Sequence, residues 1–292
     1  MSEKMKVVIL GSGNIGSDLL SKVLKSSLLE CRLFIGRNEE SPGLQRAREL
    51  GVNVSFAGIQ AIINDPDICD LVFDATSATE HIKHDAILRQ IGKQVIDMTP
   101  ARVGKMVIPA INLEEVFREK NINMVSCGGQ AAIPLAYAVA QTHPRVDYLE
   151  VVSSISSSSA GPATRSNLDE YINTTENAMR FFTGCSRAKT ILILNPAAPP
   201  IEMQTTISAI VPEANLEQLG PVVDKLVNEI KRYVPGYQLL VPPLYEYNRI
   251  VMMVKVTGSG DYLPPYAGNL DIINCAAIAA AEAYAKKGNR AE

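Results

Sequence analysis

The chain has no paired cysteine motif. Its five cysteines, Cys31, Cys69, Cys127, Cys185 and Cys275, are odd in number, scattered over 292 residues and never in a C-x-x-C pair. That spacing argues against a disulfide framework and a clustered zinc site, so no metal is expected, and it fits a reducing compartment. A strong charge of either sign is also missing. The net charge of −3 gives no electrostatic case for nucleic acid or for a polybasic membrane surface. Long apolar runs are absent too. The longest, Cys275-Ala-Ala-Ile-Ala-Ala-Ala281, is interrupted by Glu282 and is too short to span a bilayer. The start, Met1-Ser-Glu-Lys-Met-Lys6, has no apolar signal-peptide core. A soluble, cytoplasmic protein is expected. Histidine is scarce, with only His81, His84 and His143, and none later in the chain.

What is present is enough apolar material for two cores. Hydrophobic residues make up 47% of the 292, and that length is large for one small core. Strand-like runs at Val7–Leu10, Arg32–Ile35, Leu71–Asp74, Gln94–Asp97 and Asn123–Ser126 are separated by helical patterns, among them Asp18–Leu28 and Leu44–Leu50. Near-continuous apolar strands alternating with helices predict a parallel, doubly wound α/β sheet. Later candidates, Tyr148–Val152, Thr190–Leu194, Gln204–Val211 and Arg249–Val256, have only two helical patterns among them, Leu168–Phe182 and Leu216–Tyr233. That change predicts an α+β second domain with a largely antiparallel sheet. The expected division is 1–130 for the first domain, 131–262 for the second, and 263–292 returning to complete the first. The last helical segment is Ile272–Lys287.

Gly11-Ser12-Gly13-Asn14-Ile15-Gly16 follows the first strand and opens a helix. In that context the glycines allow a tight turn and close approach of a pyrophosphate to backbone amides at the helix start. The acid that usually binds the ribose hydroxyls after the second strand is missing; the chain reads Gly36-Arg37-Asn38-Glu39-Glu40. Arg37 suits adenine stacking or a 2′-phosphate, or is an ordinary surface arginine. NAD is the expected cofactor, with NADP open.

Asn121-Ile-Asn-Met-Val-Ser-Cys127-Gly128-Gly129-Gln130 brings a cysteine to the predicted start of an alanine-rich helix. Backbone amides and the helix dipole there favour thiolate over thiol. The same amides suit an oxyanion, and the glycines admit a substrate. A small buried hydrophobe is the plainer reading. With a nicotinamide site, such a thiol implies aldehyde oxidation through a thioester, with water, phosphate or coenzyme A taking the acyl group. A cysteine-activating histidine from the second domain, as in phosphorylating semialdehyde dehydrogenases, has no candidate. His81 and His84 read as surface residues of a helix. A non-catalytic nucleotide-binding subunit is the reading from another functional class.

Gly11–Gly16, Phe73-Asp-Ala-Thr-Ser77, Asn123–Gln130 and Ser159-Ala-Gly-Pro-Ala-Thr-Arg-Ser-Asn167 resemble the CoA-acylating acetaldehyde dehydrogenases of aromatic meta-cleavage pathways. Asn195–Pro200, Tyr233–Tyr237 and Tyr262–Asp271 extend the likeness over nearly the whole chain. The resemblance implies a Rossmann-type domain around an α+β catalytic and dimerisation domain. It implies a thioester-forming Cys127, with cofactor contacts at Ser12, Gly13, Asn14 and Ile15. Further contacts are implied at Ser159, Ala160, Gly161, Pro162, Ala163, Thr164, Arg165, Ser166, Asn167 and Asn269. The implied substrates are a short aliphatic aldehyde, such as acetaldehyde or propanal, and coenzyme A. The implied assembly is a homodimer, or a heterotetramer with 4-hydroxy-2-oxovalerate aldolase. The chain departs from the family pattern at Met203-Gln204-Thr205-Thr206, where Thr205 stands in place of a carboxylate. The stretch from Tyr237 to Val251 is also short for the family.

Overall fold

The computed structural model describes residues 4–288, apart from the side chain of Ala163. It divides into two compact units. One comprises Met1–Val107, Asn112–Met124 and Asn274–Glu292, and the other Ile108–Ile111 and Val125–Ile273. The division therefore falls at Met124/Val125 and Ile273/Asn274. Residues 289–292 of the returning segment expected from the sequence lie outside the described residues.

The first unit is built on seven parallel strands: β1 (Met5–Leu10), β2 (Leu29–Ile35), β3 (Val54–Ser55), β4 (Leu71–Asp74), β5 (Gln94–Asp97), β6 (Lys105–Met106) and β7 (Asn121–Asn123). Their order is β3-β2-β1-β4-β5-β7-β6. One face buries Val8, Leu10, Leu33, Ile35 and Val72 with Leu88 and Val95, and Ile9, Phe34 and Phe73 are also fully buried. Burial on both faces explains why these strands read as unbroken apolar runs. The register sets Leu10 beside Asp74, Asp74 beside Asp97, and Asp97 beside Asn123. The carboxyl edge of the sheet therefore carries a row of polar side chains. Helix Asn14–Lys25 starts four residues earlier than the predicted Asp18, because the glycine turn ends at Gly13. The chain leaves the sheet after Asn123 rather than at the predicted Ser126, and Val125 takes a positive φ of 63°.

The second unit has five strands: β8 (Tyr148–Ser156), β9 (Ala188–Asn195), β10 (Met203–Ile210), β11 (Tyr237–Glu246) and β12 (Arg249–Val256). They lie in the order β11-β12-β10-β8-β9. All pairs are antiparallel except β8 with β9. Strand β11, which carries Pro242-Pro243, is absent from the sequence reading. It lies at the sheet edge, with register irregularities between Leu239 and Leu244, where missing amide donors are tolerated. On the inner face Leu149, Val151, Ile155, Met203, Ile207, Ile250, Met252 and Val254 are buried. Two polar residues, Ser153 and Thr205, share that apolar face and are fully buried. Helices Cys127–Thr142, Leu168–Thr183 and Leu216–Lys231 complete the unit. No described helix is long and apolar enough to cross a membrane.

Candidate active site

Cys127 is the first residue of helix Cys127–Thr142, and Ser126 caps that helix by accepting from the Gly129 amide. The Ser126 hydroxyl also lies 2.7 Å from Thr175 Oγ1, and Thr175 donates to the Tyr171 carbonyl at 2.7 Å. These bonds tie the helix start to helix Leu168–Thr183 and bring Tyr171 to the thiol. Cys127 Sγ is 3.8 Å from Tyr171 Oη, and the Gly128 amide donates to the same oxygen at 3.1 Å. Tyr171 also hydrogen-bonds Ser153, whose hydroxyl lies 2.9 Å from Thr205 Oγ1. The thiol thus heads a chain of neutral hydroxyls running into the sheet.

The electrostatics correct the expectation of a thiolate. Burial pushes the Cys127 thiol up to about 11, against the pull of the Tyr171 hydroxyl and the amides of Gly128 and Cys127 itself. Desolvation outweighs the helix terminus here. The Gly128 and Gly129 amides, expected to face an oxyanion, are already engaged by Tyr171 and Ser126. Cys31 and Cys69 are pushed up to about 12 by burial.

In the first unit, Gly11 adopts φ 121°, and a Cβ there would collide with the Ala75 carbonyl. A Cβ on Gly16 would collide with the Gly11 carbonyl. Helix Asn14–Lys25 follows N-cap Gly13 with no side-chain cap, so its first amides face outward for a ligand. Gly13 has no atom within 4 Å of an added Cβ, which leaves open space over the turn. These features fit a dinucleotide pyrophosphate. Ser12 Oγ lies 3.0 Å from Ser41 Oγ, and Ser41 caps helix Pro42–Glu49. Arg37 is exposed just beyond β2.

The remaining expected cofactor residues belong to the second unit. Ser159 is buried and donates to the Ser156 carbonyl at 2.8 Å. Gly161 precedes the short helix Pro162–Ser166, which also holds Thr164 and the backbone of Ala163. The Arg165 guanidinium folds back onto the carbonyls of Ala160 and Ser157, at 3.0 and 2.9 Å, and so braces its own loop. Asn167 joins this turn to the next helix. Asn269 is the second residue of helix Gly268–Gly288. It is 5% exposed, and its Oδ1 has no partner among the described residues.

Comparison with known proteins decides the family. Residues 127–264 match a model described as prokaryotic acetaldehyde dehydrogenase, dimerisation. An acetaldehyde dehydrogenase of Pectobacterium atrosepticum is 59% identical over 97% of this chain and 96% of its own length. One from Spirochaeta aurantia is 54% identical over 98% and 96%. The chain belongs to the acetaldehyde dehydrogenase family. That is a family of oxidoreductases. Among solved structures, the aspartate semialdehyde dehydrogenase of Candida albicans, determined with NADP, superimposes with a TM-score of 0.65 at 13% identity, covering 95% of this chain and 99% of that one. This likeness extends to the fold alone.

In this acetaldehyde dehydrogenase family member the first two histidines are not surface residues, contrary to the reading of helix Ala78–Gln90. His81 is fully buried and His84 nearly so. Their Nδ1 atoms lie 2.9 and 2.8 Å from Asp74 Oδ2. The two partners hold the Asp74 carboxyl far below the usual range despite its burial. His81 is raised, with burial opposed by Asp74 and Asp97. His143 ends the Cys127 helix and accepts from the Asn215 amide at 3.0 Å. The helical spacing of His81 and His84 is visible in the sequence; that both reach back to Asp74 is not. Tyr171 and Ser153 likewise carry no local signature.

Proposed function

We propose that the chain is a CoA-acylating aldehyde dehydrogenase: short aliphatic aldehyde + CoA + NAD⁺ gives acyl-CoA + NADH + H⁺. The observation that carries this reading is Cys127 at a helix start, hydrogen-bonded to Tyr171 and accessible in part. Cys127 adds as thiolate to the aldehyde carbon and then holds the acyl group as a thioester. A nicotinamide nucleotide, when bound, supplies the hydride acceptor. Ser12, Gly13, Asn14 and Ile15 would hold its phosphates. The contacts at Ser159–Asn167 and at the unpartnered Asn269 Oδ1 belong to the same proposal.

The acceptor follows from the surroundings of the thiol. Among the described residues, the hydrogen-bond partners of Cys127 are a phenol and amides, none of which takes a proton from water. A thiol acceptor, with an ordinary pKa of about 8.5, supplies a few per cent of nucleophilic thiolate at neutral pH without a base, which water cannot do. That favours coenzyme A over water. A homodimer is proposed through the second unit, whose sheet exposes Ile191, Ile193 and Leu240. Pairing with 4-hydroxy-2-oxovalerate aldolase would deliver the aldehyde directly, and co-purification of the two proteins tests it.

The deciding experiment measures NADH formed from acetaldehyde with coenzyme A, phosphate or neither, and repeats it with propanal, butanal and NADP⁺. Equal rates in all three acceptor conditions would sink the acylating reading. Cys127→Ser should lose dehydrogenase activity by at least about a thousandfold.

A further inference from the structure

We propose that Tyr171 is a catalytic residue whose phenolic hydroxyl serves as a reversible hydrogen-bond partner of Cys127 Sγ, accepting from the thiol and donating to the thiolate. The inference rests on Cys127 being the nucleophile. Its geometric basis lies wholly within the second unit. Oη is 3.8 Å from Sγ and accepts the Gly128 amide at 3.1 Å, so the oxygen is fixed from the backbone. Ser153, its other partner, is fully buried and lies 2.9 Å from the equally buried Thr205.

Counting protons shows why a hydroxyl suits this place. While Cys127 is a thiol, the S–H donates to Tyr171 Oη, the phenol donates to Ser153 Oγ, and Ser153 donates to Thr205 Oγ1. When the thiol proton leaves to solvent from the partly exposed cysteine, each hydroxyl can turn through one rotation: Ser153 then donates to Tyr171, and Tyr171 donates to the sulfur. No covalent bond changes along the chain, and no charge is created on it. Hydroxyls are both donors and acceptors, so every member keeps a partner in both states. Burial raises the Tyr171 phenol well above its ordinary range, with the Cys127 sulfur as the next cause, so it remains a donor while the thiolate forms. Space is reserved for the arrangement at Gly128. A Cβ there would collide with Tyr171 Oη and lie 2.8 Å from Ser153 Oγ. A helix-start glycine, a buried tyrosine and a serine on an apolar sheet face are thereby explained by one function.

The test is alkylation of Cys127 by iodoacetamide as a function of pH, followed by peptide mass mapping, in the wild type and in Tyr171→Phe. Loss of the donor should slow alkylation at a fixed pH by about tenfold and move the profile up by about one pH unit. The value of kcat for acetaldehyde oxidation should fall in parallel. A profile superimposable on the wild type overturns the proposal, whatever happens to activity. If Tyr171→Phe does not fold by circular dichroism, Ser153→Ala decides. It should shift the profile in the same direction by less, and an unmoved profile there is equally fatal. Full activity in Cys127→Ser would instead remove the nucleophile, a result separate from the alkylation profile.

Discussion

Ser153 and Thr205 face each other directly across β8 and β10, their hydroxyls 2.9 Å apart and fully shielded from solvent. A polar pair on an otherwise apolar sheet face is retained only where both members are satisfied. Thr205→Val keeps the shape and removes one hydroxyl, leaving Ser153 short of a partner. The variant should lose about 1–3 kcal/mol. A lower urea midpoint at unchanged slope is the expected signature, and an unmoved midpoint contradicts the pairing.

Gly128 gives a more local prediction. An added methyl group would overlap Tyr171 Oη and crowd Ser153, so the tyrosine must withdraw from the sulfur. Gly128→Ala should cost about 1–3 kcal/mol of stability as overpacking. Dehydrogenase activity should fall at least about tenfold in the folded variant. Activity equal to the wild type, measured after folding is checked, would show that the glycine serves packing alone.

Gly13 separates nucleotide binding from folding. Its φ of −79° and ψ of −170° suit any residue, and no atom lies within 4 Å of an added Cβ. Gly13→Ala should therefore melt at the wild-type temperature. If the loop holds a pyrophosphate, KM for NAD⁺ should rise by about tenfold as the methyl group keeps the phosphates off the amides. An unchanged KM argues against this loop as the phosphate site.

Asp97 predicts a pH dependence with a definite sign. It accepts from Thr99 N and Asn123 Nδ2, each at 2.7 Å, yet burial carries its pKa up from 3.8 to about 6. A carboxyl that holds its proton better when folded contributes stability that is full below about pH 4 and is lost as the pH rises through about 6. Wild type should lose stability relative to Asp97→Asn across that window, and the difference should be flat above about pH 7. Urea unfolding of both proteins over that range measures it. A difference that does not fall between about pH 4 and 7 would mean that folding does not raise the Asp97 pKa.

The two layers of organisation were legible for different reasons. Period, apolar continuity and the glycine turn are local, so β1, β4, β5 and the helix after Gly13 could be read from composition and spacing. Cys127 at a helix start was legible for the same reason, from a strand-like run, a glycine pair and an alanine-rich stretch. What a residue faces is not local. Burial of His81 depends on Asp74 and Asp97 ending adjacent strands, and Tyr171 reaches Cys127 from 44 residues away. The high thiol pKa follows from enclosure, and no short motif encodes enclosure. Strand β11 was not legible: it carries Pro242-Pro243, a proline pair is tolerated on an edge strand, and edges are defined only by the rest of the sheet.

The split first unit has a consequence for synthesis. Asp18, in the helix that follows the glycine turn, receives the Asn274 amide at 2.7 Å from 256 residues further on, and Asn274 also donates to the Ile15 carbonyl. Tyr284 similarly donates to the Val116 carbonyl. A ribosome releasing this chain from its beginning thus exposes an unfinished nucleotide module while the whole intervening unit is being made. Val125–Ile273 has its own core and can fold first. The helix that follows the glycine turn therefore gains its Asn274 contacts only after that unit has been made.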